Sequence, residues 1–141
     1  MKKQTYGNHV QYYIPHHFIF YSIILIGMVV SVSYYFKQKD SIWLFVAALF
    51  VIIGGLSFML RQHYALTLQD RIIRQEVRFR YYTLTGQRLE EEELSLGQIL
   101  ALRFAPDEEL PDLIKKTLAE NLSPDLIKQS IVNWKGDYMR V

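Results

Sequence analysis

Four histidines, His9, His16, His17 and His63, carry the best prospect of chemistry in this chain of 141 residues. Neutral imidazoles bind zinc, copper or nickel, so the four together are candidate metal ligands. Their spacing matches no zinc motif, and no carboxylate stands beside them in sequence. Histidine also suits an interface, with one apolar and one polar side. The carboxylates form a second candidate group: Asp70, the run Glu90 to Glu93, and Asp107 to Glu109. Converging carboxylates serve acid–base catalysis or hold magnesium. No partner arrangement aims these, and helix capping and a solvated face explain them better. There is no cysteine, so disulfides, thiolate metal sites and thiol catalysis are excluded within this chain. No glycine-rich phosphate loop and no Ser/His/Asp signature appears. The chain therefore reads as a non-enzyme with no cofactor.

The elements that would position these residues are written in the apolar pattern. His17 to Phe36 and Ser41 to Leu60 are two runs of twenty residues without Asp, Glu, Lys or Arg. As a helix, each rises about 30 Å, the thickness of a bilayer's hydrocarbon core. Separated by four residues, they predict a transmembrane hairpin. A signal peptide is the alternative for the first run, with Phe18 to Val30 as its apolar core and Ser31-Val32-Ser33 as a small-x-small site. The run continues apolar to Phe36 and a second follows almost at once, which favours the hairpin. Tyr12, Tyr13, Tyr21, Tyr34, Tyr35 and Trp43 bracket the spans as an aromatic belt, and Pro15 stands where a helix tolerates it. Gly27 with Ser31, and Ala47, Ala48, Gly54 and Gly55, let helices approach closely. The hairpin would bring all four histidines to one membrane face. The serines Ser22, Ser31, Ser33 and Ser57 are the polar residues inside the spans, and they can bond to their own helix carbonyls. That gives little support to a transport path.

Basic residues orient the hairpin. Lys2, Lys3, Arg61, Arg71, Arg74, Arg78 and Arg80 stand on one side, against Lys37 and Lys39 in the loop. Both termini are therefore expected in the cytoplasm. The chain divides into an arm (1–16), the hairpin (17–60, spans 17–36 and 41–60), a basic juxtamembrane helix and turn (61–88) and an acidic region (89–141). Residues 61–88 carry six basic and two acidic residues, and 89–141 carry six basic and eleven acidic. The arginines Arg61, Arg71, Arg74, Arg78 and Arg80 are expected against anionic lipid. Phe79, Tyr81 and Tyr82 interleave with them, yet the membrane explains this basic stretch more simply than nucleic acid does.

Residues 61–82 lack Gly and Pro and predict a helix continuing into the cytoplasm for about 33 Å. Ala65, Leu68, Ile72, Phe79 and Tyr82 follow a heptad seam, with Gln75 its polar exception. The seam would serve a coiled coil or a floor for the C-terminal helices. Gly86 marks a turn. Ser95 caps a helix bearing Leu96, Ile99, Leu100 and Leu102. Asp107 caps a second, with Pro111 in its first turn and Leu110, Leu113, Ile114 and Leu118 on its face. Ser123 and Pro124 begin a third, with Leu126, Ile127, Ile131 and Trp134. Such short helices must pack on one another and on the 61–82 stripe.

The stretches NHVQYYIPHHF, LQDRIIRQE, LRFAPDEELP and IVNW with DYMRV resemble an uncharacterised bacterial family of small two-span membrane proteins. That resemblance implies an inner-membrane location and brings no activity, cofactor or site residue. The fold expected is all-α: a transmembrane hairpin, an extended second helix and a small C-terminal bundle. The expected role is a membrane-tethered adaptor or self-associating scaffold, whose partners are lipid and either another protein or its own copies. The alternatives are a histidine-based metal-binding protein and a subunit of an oligomeric transporter.

Overall fold

The computed structural model describes residues 4–9, 13–90 and 93–138. Tyr12 of the belt, Lys2 and Lys3 of the charge count, Glu91 and Glu92 of the acidic run, and the closing Met139 to Val141 lie outside them. Among the described residues the chain is helical and has no strand. Five helices follow one another: α1 (Pro15–Gln38) and α2 (Ile42–Thr85), then α3 (Leu96–Leu102), α4 (Leu110–Glu120) and α5 (Pro124–Ser130). A 3-10 turn, Tyr6–Asn8, precedes them. The chain divides into two compact units, one of residues 12–66 and one built from 1–11 and 67–140.

The first unit is a helical hairpin. Both helices are long and apolar enough to cross a membrane, and only 6% of the most apolar window of either is buried. A core helix of a soluble protein would be covered instead. Phe36 and Phe45 are 64% and 68% exposed, so the apolar surface points outward. The helices meet through small residues. A Cβ on Gly27 would fall on the ring of Phe50, and one on Gly54 would reach Ile24 Cγ2 at 3.4 Å. Ser31 and Ala47 are buried in the same seam. Ala48 is exposed and a Cβ on Gly55 would meet nothing, so the hairpin uses only part of the small-residue set. Lys39, left-handed at φ 58°, ends α1 and donates its N–H to Tyr35 O at 2.8 Å. Asp40 Oδ1 then accepts from Ile42 N. Tyr34 stacks on Trp43 across this loop with centroids 4.7 Å apart. Each helix has one wide π-helical stretch, Pro15–Phe20 in α1 and Leu60–Ala65 in α2.

The second unit packs α3, α4 and α5 on one face of residues 66–85. Its core joins Ile73, Val77 and Tyr81 to Ile99, Leu102, Phe104, Leu110, Ile114 and Ile127. Gly86, at φ 71°, ends α2 where a side chain would strain the backbone. Ser95 caps α3 by accepting from Gln98 N, and Ser123 caps α5 by accepting from Leu126 N, with Pro124 at the first position. Gly97 lets α3 close on Pro124, where a Cβ would stand 3.0 Å from Pro124 Cγ. Two expectations are corrected. Asp107 does not cap α4; Glu109 precedes that helix, and its carboxylate accepts instead from Val132 N and Asn133 N. Leu126 and Leu118, expected on apolar faces, are 49% and 39% exposed.

Candidate functional site

The side chains expected to do chemistry are dispersed. His9 belongs to the second unit, where its ring lies 5.7 Å from Phe104 and 5.8 Å from Trp134. Its Nδ1 donates to Tyr6 O at 2.7 Å. His16, His17 and His63 belong to the hairpin unit. His16 and His17 lie with ring centroids 5.4 Å apart. His16 Nε2 bonds to Ser57 Oγ at 3.1 Å, tying the two helices of the hairpin together. His17 Nδ1 bonds to Tyr13 O. Among the described residues, no group of three or more His, Asp or Glu is placed to hold a metal ion. Within the spans, Ser31 and Ser33 donate to Gly27 O and Val29 O of their own helix, as expected. Ser57 turns to His16 instead.

The arginines separate by position. Arg71 is exposed, and Arg61 and Arg74 are half-buried. Arg78 donates from Nε to Leu89 O at 2.9 Å, which draws its head toward its own unit. Arg80, expected at a lipid surface, is buried at 9% exposure. Its guanidinium donates to Asp107 Oδ1 at 2.7 Å, to Ala105 O at 2.6 Å and to Arg103 O at 3.3 Å. A planar, always-charged fork satisfies three acceptors of the α3–α4 connection at once. That hydrogen bond, more than charge attraction, holds the Asp107 carboxyl below the usual carboxylate range, against a partial desolvation that acts the other way. Arg103 extends the network, its Nε 3.1 Å from Asp137 Oδ2 and its guanidinium over the Phe104 ring.

Sequence reasoning missed a clasp between distant segments. Gln4 Nε2 donates to Asp137 O at 3.2 Å, and Gln4 Oε1 accepts from Asp137 N at 2.8 Å. Gln129 Nε2 reaches Tyr6 Oη at 3.3 Å. With His9 on Phe104 and Trp134, residues 4–9 are part of the C-terminal helical unit. No local pattern announces a pairing across more than 120 residues.

The heptad residues are the most marked feature. Leu68, Ile72, Phe79 and Tyr82 are 57%, 66%, 70% and 51% exposed. The C-terminal helices pack on Ile73, Val77 and Tyr81, about half a turn around the helix. The seam is therefore not their floor. It borders an open groove that also includes Leu96 and is flanked by Asp70, Arg71, Arg74 and Glu76. Ala65, the first residue of the stripe, is exposed within the hairpin unit. The row is apolar and its rim is charged.

A family model described as a family of unknown function, DUF6526, matches residues 1–141. No curated protein and no solved structure matches the chain.

Proposed function

We propose that this chain, which belongs to the family of unknown function DUF6526, is a bacterial inner-membrane protein with a non-enzymatic task. Its hairpin is the anchor. Its helical unit stands in the cytoplasm and presents the Leu68–Tyr82 face as a docking surface, for a partner protein or for its own copies. The observation that carries this reading is the exposure of Leu68, Ile72, Phe79 and Tyr82 on the side of the helix that its own core leaves uncovered. Burying four such side chains against a partner would remove several hundred Å² of apolar surface from water, at roughly 25 cal/mol per Å².

Three further points support the anchor and its orientation. The outward surface of the two spans is largely apolar, and the hairpin's end carries a Tyr34–Trp43 stack of the kind that sits at headgroup level. Residues 4–9, which precede α1, pack with residues that follow α2. A chain that crosses a bilayer twice returns to its starting side, as that packing requires. The basic bias around the spans favours the cytoplasm for that side.

A photo-crosslinking amino acid at Ile72, in native membranes, tests the docking reading. One recurrent adduct is expected from Ile72, and none from Asp70, which lies off the apolar row. Equal adducts from both positions, or none from Ile72, would overturn it.

A further inference from the structure

The open face has a register. With Leu68, Gln75 and Tyr82 at d and Ile72 and Phe79 at a, residues 68–82 make a short heptad seam. The residues committed to the unit's own core fall at the outer positions: Ile73 and Arg80 at b, Tyr81 at c, Val77 at f. The fold therefore uses the back of the helix and leaves the whole a/d edge uncovered. The flanks carry Arg71 at g and Glu76 at e, both exposed. In a parallel pair of helices, a g side chain lies beside the e' side chain five residues further on in the partner. Arg71 of each copy would then meet Glu76 of the other, twice by symmetry. An antiparallel pair sets g against g, and would bring Arg71 against Arg78.

We propose that the Leu68–Tyr82 face pairs two copies of this chain as a parallel two-stranded coiled coil, fixed by reciprocal Arg71–Glu76 ion pairs. This deepens the docking reading and rests on it. Two hairpins in one membrane with one orientation carry their 66–85 helices in the same direction, as parallel pairing needs. About two heptads are too short to pair firmly in dilute solution. Anchoring raises the effective concentration of one copy around another, which offsets that shortness. Gln75 at an inner position favours one register over slipped alternatives at some expense of stability.

The absence of cysteine makes the test clean, because one introduced thiol is the only one present. The full chain in bilayer vesicles, carrying Ile72→Cys, should form a disulfide-linked dimer under a mild oxidant. Asp70→Cys, at an f position, should not. Adding Arg71→Glu to Ile72→Cys should slow cross-linking about tenfold at low salt. Adding Glu76→Arg as well should restore it, which separates a lost ion pair from a misfolded variant. Equal cross-linking at positions 70 and 72, or charge reversal without effect, would overturn the pairing. Should Ile72→Cys give no dimer while the photo-crosslink from Ile72 still captures one recurrent other protein, self-pairing falls and the docking reading stands. Failure of both experiments removes both.

Discussion

Two arginines nine residues apart on one helix have opposite tasks. Arg71 is exposed, whereas Arg80 is buried and donates to Asp107 and two backbone carbonyls. Removing Arg80 leaves the buried carbonyls of Arg103 and Ala105 short of a partner, and each buried unsatisfied group costs about 1–3 kcal/mol. Arg80→Ala should therefore destabilise the helical unit by about 3 kcal/mol, while Arg71→Ala should change it by less than about 0.5 kcal/mol. Thermal unfolding of the two variants in detergent checks this. Asp107 adds a pH dependence whose sign follows from its depressed pKa. Its contribution is fully present above the unfolded value of about 3.9 and is lost as pH falls through the lower folded value. Melting temperature should therefore drop on acidification below about pH 4. Asp107→Asn should flatten that part of the drop, and an unchanged acid limb would contradict the assignment. Neither role was legible in sequence. Arg80 looked like one more basic residue beside a span, and its partner lies 27 residues away. Asp107 looked like a cap because it precedes a helix by three residues.

At the scale of elements, the hairpin depends on close approach. The ring of Phe50 occupies the space where a side chain on Gly27 would begin. Gly27→Val should force α1 and α2 apart and lower the melting temperature of the chain in detergent, by several degrees. Phe50→Ala in the same chain should recover part of the loss. Gly55→Ala, which meets open space, should have little effect on the hairpin. The hairpin was plain in the sequence because two uncharged runs of twenty residues permit few other structures. The start of α5 was equally plain, since Ser123 and Pro124 supply the oxygen and the fixed φ that a helix start uses. The division of α2 into two faces was legible only in part. The heptad residues stood out, but the sequence did not say which face the C-terminal helices would take. Ile73, Val77 and Tyr81 share their side of the helix with Arg80, whose guanidinium binds the α3–α4 connection.

At the scale of the whole molecule, an apolar helical hairpin and an exposed apolar face belong to one chain. Under the proposed self-pairing, dilution is the natural way to expose that face. The most direct measurement is the rate at which a maleimide reacts with Ile72→Cys in native membranes, compared with the same chain purified and diluted in detergent. Ile73→Cys, at a position buried in either state, is the reference. Cys at position 72 should be protected in the membrane and react at least about tenfold faster after dilution, with position 73 slow throughout. Equal, fast labelling at position 72 in both conditions would mean that nothing covers the face in the membrane, and would overturn the proposed docking.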